Sequence, residues 1–103
     1  MEIQIQEDKK SVVIFLEGSL DSITAPEVEK EFFPVMQENE FEKITLDCSK
    51  LTYMASSGLR FIFTVLKEGK EAGAQVVLKD VNEFVRSILD STGLAPMFEF
   101  EQS

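Results

Sequence analysis

The sequence predicts a small α/β domain, with a mixed, mostly parallel five-stranded sheet and helices packed on it. Three observations carry that expectation. Short runs rich in Val, Ile and Phe alternate along the chain with segments of helical periodicity. Only the first two strand-like runs follow one another directly, so one hairpin precedes the alternation. The 103 residues contain no repeat, no low-complexity tract and no linker, and a single domain over residues 1–103 accounts for them. The order β-β-α-β-α-β-α-β implies right-handed crossovers between parallel strands.

The elements follow in order. "EIQIQ" (Glu2–Gln6) alternates polar and apolar residues, as a half-buried or edge strand does. "EDKK" is a polar turn, and "SVVIFLEG" (Ser11–Gly18) is a nearly continuous β-branched run, the pattern of a central strand. In "SLDSITAPEVEKEFF", Thr24 stands as an N-cap, Pro26 suits a first helical turn, and Glu27 and Glu29 favour the positive helix end. Val28, Phe32, Val35 and Met36 share one face of that helix. Pro34 is expected to shorten or bend it, because it removes a backbone donor and crowds the preceding turn.

"FEKITLDCS" (Phe41–Ser49) reads as a strand, with Ile44, Leu46 and Cys48 alternating against Thr45 and Asp47. Asp47 reads as a strand-end or turn residue and Cys48 as a small core residue. A second helix is expected from about Ser57 to Glu71, its buried stripe formed by Leu59, Ile62, Phe63 and Leu66. Phe61 and Val65 fall off that stripe and are either extra core or an apolar contact for a partner or second copy. "AGAQVVLKD" is a turn and a strand. In "DVNEFVRSILDSTG", Asp80 and Glu83 have capping-box spacing, Val81, Phe84, Val85, Ile88 and Leu89 form an apolar face, and Gly93 ends the helix. "MFEFE" is a short terminal strand.

Composition narrows the function. A formal net charge of −9 disfavours nucleic-acid binding, which needs Lys and Arg to neutralise phosphates. The same field favours a basic partner surface. No histidine is present, which rules out Ser-His and Cys-His nucleophilic pairs and His-ligated metals. Cys48 is the sole cysteine, so neither an intramolecular disulfide nor a thiolate cage is possible. A carboxylate-only magnesium or calcium site stays open, although no EF-hand-like run of Asp, Asn and Gly occurs. "MEIQIQEDKK" lacks the basic-then-apolar pattern of a signal peptide, and no apolar run approaches a membrane span. The expectation is a cytoplasmic protein, not inserted in a membrane, without cofactor or metal, and with no catalytic residues.

One stretch breaks the hydrophobic pattern. In "YMASSGLRF" (Tyr53–Phe61), Ala55-Ser56-Ser57-Gly58 interrupts two apolar segments at the end of a strand and the start of a helix. Binding sites of open α/β sheets favour the carboxyl ends of strands. Two readings of the serines stand side by side. Either one of them caps the helix, worth about 1 kcal/mol, or a hydroxyl is displayed for another protein. In the second case a phosphoryl group there would meet the free N–H groups of the helix end. A P-loop is not supported, since one Gly without a nearby Lys does not cradle a phosphate chain.

"FLEGSLDSITAPEVEKEF", "KITLDCSKLTYMASSGLRFI" and "LDSTGLAPMFEF" together resemble a STAS domain, and within it the stand-alone bacterial anti-sigma factor antagonists. The matching pieces, in register, are Gly18, Leu20 and Asp21; Thr24–Pro26; Leu46 and Asp47; Ser56–Leu59; and Thr92–Leu94. The resemblance implies a binding module, not an enzyme: it docks on an anti-sigma factor that is also a serine kinase, and a serine phosphatase reverses the phosphorylation. Carried over residue by residue, it implies Ser56 as phosphoacceptor, Ser57 as second choice, and a docking surface of Asp21, Ser22, Thr24, Ala55, Ser56, Ser57 and Gly58. The expected protein is a monomer or weak dimer. One position departs from the family's pattern: Ala55 stands where an Asp is usual. Two alternatives remain. One is a non-switching STAS subunit of a stable complex, such as a lipid-transport ABC system, which Ala55 favours. The other is a small-ligand sensor using the cleft near the Asp21 and Ser56 loops.

Overall fold

The computed structural model describes Met1–Ser103. Strands β1 (Glu2–Glu7), β2 (Ser11–Leu20), β3 (Lys43–Met54), β4 (Gln75–Lys79) and β5 (Glu99–Glu101) form one sheet in sequence order. β1 pairs antiparallel with β2; every later pairing is parallel. The three crossovers carry α1 (Ala25–Glu38), α2 (Ser56–Glu71) and α3 (Glu83–Thr92). All three step in the same direction along the sheet, and right-handed crossovers of that kind place their helices on the same face. Ile14, Leu16, Leu46, Cys48 and Leu78 of the sheet accordingly form one cluster with Phe32 of α1, Phe61 of α2 and Leu89 of α3. Gly58 and Gly69, three turns apart on α2, let that helix lie close to the sheet. A methyl group on Gly69 would stand 2.7 Å from Val76 Cγ2.

The hairpin, the alternation and the mostly parallel sheet agree with the sequence reading. Several local expectations do not. α1 runs unbroken from Ala25 to Glu38 with Pro34 inside it. Pro34 and Lys30, whose carbonyl loses its donor, are both exposed, so the missing bond falls on the solvent side of a helix that buried Phe32 holds to the core. The buried stripe of α2 is centred on Gly58, Phe61, Ile62, Val65, Leu66 and Gly69, and Leu59 and Phe63 are only half-buried. Phe61 and Val65 are therefore core. Phe61 stacks on Phe33 and meets Phe32 edge-on.

The expected capping box at Asp80 is absent. Asn82 is the N-cap of α3 and its side-chain oxygen accepts from Val85 N at 2.8 Å. Asp80 has φ +56° and its carboxylate accepts from Ser103 N and Oγ instead. Phe84, expected on the apolar face of α3, is half exposed. Gly93 ends that helix in the left-handed conformation, as expected. The terminal strand is shorter than expected, because Ala95–Met97 forms a 3₁₀ turn.

β3 extends five residues beyond the expected Ser49, and Asp47 lies inside it rather than at its end. Between Asp47 and Lys50 the pairing with β2 slips by one residue, and Asp47 Oδ1 accepts from Ser49 N and Oγ across that bulge. Cys48 is a core residue, 1% exposed; burial, helped by Asp47 and Asp80, pushes its thiol up to about 12. On the face away from the helices, Lys43 of β3 and Glu101 of β5 pair at 2.9 Å. The register sets Val77 of β4 between them, and Val77 is fully buried.

Candidate functional site

The carboxyl ends of β2, β3 and β4 carry the loops the sequence singled out. β2 ends at Leu20, and Asp21 to Thr24 turn into α1. The Asp21 carboxylate shapes that turn: its Oδ1 accepts from Ile23 N at 2.9 Å and Thr24 N at 3.0 Å. These donors, Thr24 first, hold the Asp21 carboxyl below its ordinary value. Thr24 occupies the N-cap position of α1 without capping it. Its hydroxyl donates to Ser19 O at 2.7 Å and accepts from Asp21 N at 2.9 Å. The helix-entry work expected of Thr24 thus falls to Asp21, because the threonine side chain is drawn back to β2. Ser22 and Ile23 are exposed at the tip, Ile23 at 76%.

β3 ends at Met54, paired in register with Leu20. Ala55 follows as the N-cap of α2, and its backbone N–H donates to Leu20 O at 2.9 Å. The first helical hydrogen bond of α2 runs from Leu59 N to Ala55 O at 3.0 Å, so the N–H groups of Ser56, Ser57 and Gly58 have no backbone partner. The reading of the serines as caps does not hold. Ser56 is the first helical residue, not the N-cap, and no side chain caps this helix. Ser56 is exposed, Ser57 half-buried and Gly58 buried. Neither serine hydroxyl makes a hydrogen bond within the chain. The first turn of α2 has no acidic residue, and exposed Arg60 stands one turn beyond Ser56.

Gly58 explains how close the two loops come. A Cβ there would lie 2.6 Å from Leu20 O and 2.7 Å from Leu20 Cγ. The structure thus brings Asp21, Ser22 and Thr24 of one loop beside Ala55 to Gly58 of the next. It also adds exposed aromatic surface that the sequence reading did not expect, having put Phe84 on the apolar face of α3 and given Tyr53 no role. Tyr53 of β3 and Phe84 of α3 stack with centroids 5.7 Å apart, and both are about half exposed. Their signal in sequence was weak: Tyr53 sits at an alternate strand position and Phe84 in a first helical turn, where end effects override the stripe.

No group of His, Cys, Asp and Glu is arranged to hold a metal ion, and no helix is long and apolar enough to cross a membrane. What the site offers is an exposed hydroxyl at a positive helix end, beside the loop that leads from β2 into α1. Comparison with known proteins bears on that arrangement. The STAS domain family profile matches residues 2–103. The anti-sigma-B factor antagonist of Listeria monocytogenes is 30% identical over 100 residues, covering 96% of this chain and 87% of that protein. The anti-sigma F factor antagonist of Paenibacillus polymyxa is 30% identical over 94 residues, covering 91% and 80%. Among solved structures, the Bacillus anti-sigma factor antagonist SpoIIAA in its unphosphorylated form superposes with a TM-score of 0.83 at 21% identity, over 96% of this chain and 87% of that one. Over nearly its whole length, then, in sequence and in fold, the chain belongs to the STAS domain family, among its anti-sigma factor antagonists.

Proposed function

We propose that the chain is a partner-switching module whose state is set at Ser56. Unphosphorylated, it docks on an anti-sigma factor with serine kinase activity through Asp21, Ser22, Thr24 and Ala55 to Gly58. Phosphorylation of Ser56 ends that docking, and a serine phosphatase restores it. One observation carries the reading: Ser56 presents an exposed, unbonded hydroxyl at the first position of a helix whose terminal N–H groups have neither a cap nor an acidic neighbour. A phosphoryl group there adds about −1.5 to −2 charges where the helix end favours an anion, and Arg60 lies within a turn. The modification costs the fold little and changes the docking surface a great deal. Ser57 is the poorer acceptor because it is half-buried.

The test combines intact-mass analysis of the protein with a cognate kinase and ATP, repeated on Ser56→Ala and Ser57→Ala. Addition of one phosphoryl group, lost only in Ser56→Ala and accompanied by release of the kinase, is the expected result. Loss only in Ser57→Ala moves the acceptor by one residue and overturns the assignment. A second reading draws on Ala55, which supplies no carboxylate beside the hydroxyl: a STAS subunit held constantly in a larger complex, such as a lipid-transport ABC system. Stable co-purification with an ATPase, unaltered by kinase treatment, is its signature.

A further inference from the structure

The helix-free face of the sheet is untouched by the function proposed above. Parallel strands nearly always have both faces covered, yet here every helix lies on the other side. Over β3 to β5 the Lys43–Glu101 pair spans Val77. Over β1 to β3 the face instead opens into a groove of about 780 Å³, the size of a small-ligand site.

Half-buried Phe15 lines this groove, with Gln4 of β1 and Asp47 of β3 directly beside it in register. Asp47 is only 7% exposed, a setting a carboxylate rarely occupies without a partner. Its Oδ1 takes both Ser49 donors, at 3.0 and 2.7 Å. Its Oδ2 receives no donor from the chain and is not sealed off from the groove. Lys79, next along the same row on β4, makes no ion pair with it. Glu2 and Glu17 add negative charge to the lining, and Lys50 is its one cation.

We propose that this groove binds a guanidinium group, which donates to Asp47 Oδ2 and lies with its plane over the Phe15 ring. A guanidinium fits better than an ammonium for three reasons. It is planar, weakly hydrated, and donates in a fork while stacking on an aromatic face. The chain already holds one in this manner: Arg86 lies 3.9 Å above the Phe100 ring and donates to Asp90 at 3.2 Å. The group arrives either on a free small molecule or on an arginine of a partner protein.

The experiment is an amide NMR titration of the full chain with agmatine, with a blocked Gly-Arg-Gly peptide, and with its Gly-Lys-Gly counterpart. Saturable shifts centred on Gln4, Phe15, Asp47 and Ser49 are expected from the guanidinium probes. Agmatine binding as well as the peptide points to a free ligand; binding of the peptide alone points to a partner's arginine. Asp47→Asn keeps an acceptor for Ser49 and loses the charge, and is expected to weaken binding about tenfold or more, as loss of a charge-assisted hydrogen bond does. Phe15→Leu keeps the groove apolar, removes the stacking surface, and is expected to weaken it as well. No saturable shift with either guanidinium probe overturns the proposal. So does equal binding of the lysine peptide, or affinity unchanged in both folded variants. None of these outcomes depends on the state of Ser56.

Discussion

The backbone N–H of Ala55 donates to the carbonyl oxygen of Leu20 at 2.9 Å, so the start of α2 is tied to the end of β2 rather than only to its own strand. Leu20 O is also the atom nearest to a Cβ built on Gly58, at 2.6 Å. One carbonyl therefore sets both the position of the serine-bearing turn and the space available behind it.

Gly58→Ala is accordingly expected to destabilise the protein. Helix propensity alone favours Ala by about 1 kcal/mol. Against this, the added methyl meets a backbone oxygen and Met54 Cγ at 2.9 Å, and neither the backbone nor a packed core yields cheaply. Overpacking of this kind costs about 1–3 kcal/mol, so a net loss in urea unfolding is the outcome to look for. A neutral or stabilising result would show that α2 can lift from β2.

The order of elements along the chain, the hairpin and the position of the serine turn were legible because hydrophobic period decides them; that the strands also lie in sequence order across the sheet was not. Caps were not, because they depend on partners distant in space. Thr24 has the residue type and place of a cap, but its hydroxyl is bonded to Ser19 O; Asp80 has the spacing of one, but its carboxylate is bonded to Ser103. Pro34 misled in the opposite way: its missing bond lies on the exposed side of α1, and buried Phe32 holds the helix to the core across it. Asp47 was the least legible. Strand alternation placed it on the face away from the core, and nothing local showed that this face would bury it.

Ala55→Asp is expected to stabilise the fold and to sharpen recognition of Ser56. Ala55 has an extended N-cap conformation and no acceptor to offer the first turn. An Asp there caps the free N–H groups, worth about 0.5–2 kcal/mol. A higher unfolding midpoint in the variant, together with faster phosphate incorporation by the kinase, is the expected pair of results. Stabilisation without faster phosphorylation would mean that the cap and the recognition are separate properties.

Acid should loosen the C-terminal segment through Asp80. The Ser103 hydroxyl and N–H hold the Asp80 carboxyl below its ordinary value of 3.8. Because the folded state prefers the ionised form, the unfolded state binds the proton first as pH falls. The contribution is therefore present above about pH 4, and it disappears as pH drops through the lowered folded value. Asp80→Asn is expected to remove this part of the acid dependence in urea unfolding between about pH 2 and 5. An identical slope in wild type and variant would count against the Asp80–Ser103 contact.

Cys48 gives the alkaline counterpart. Burial raises its thiol to about 12, whereas an unfolded chain ionises it near 8.5. Its contribution is complete below the unfolded value and is lost as pH rises toward the folded one. Alkylation at pH 8 should thus proceed only through global opening, and Cys48→Ala should flatten the alkaline arm of the stability curve. Rapid labelling of the native protein would contradict the buried setting.

Ser56→Ala separates the two meanings of the serine turn. Were Ser56 a cap, its loss would cost about 1 kcal/mol. Here its hydroxyl makes no hydrogen bond and sits exposed one residue past the N-cap, so the change should stay within about ±0.5 kcal/mol, as for other plain surface positions. Ser56→Glu should instead gain roughly 0.3–1 kcal/mol from the positive end of α2. The docking assay is expected to order the same variants differently, with Ser56→Ala retaining kinase binding and Ser56→Glu losing it. Stability and affinity moving in opposite directions at one exposed residue is what a modification site predicts. A structural cap would instead make Ser56→Ala the damaging change in both measurements.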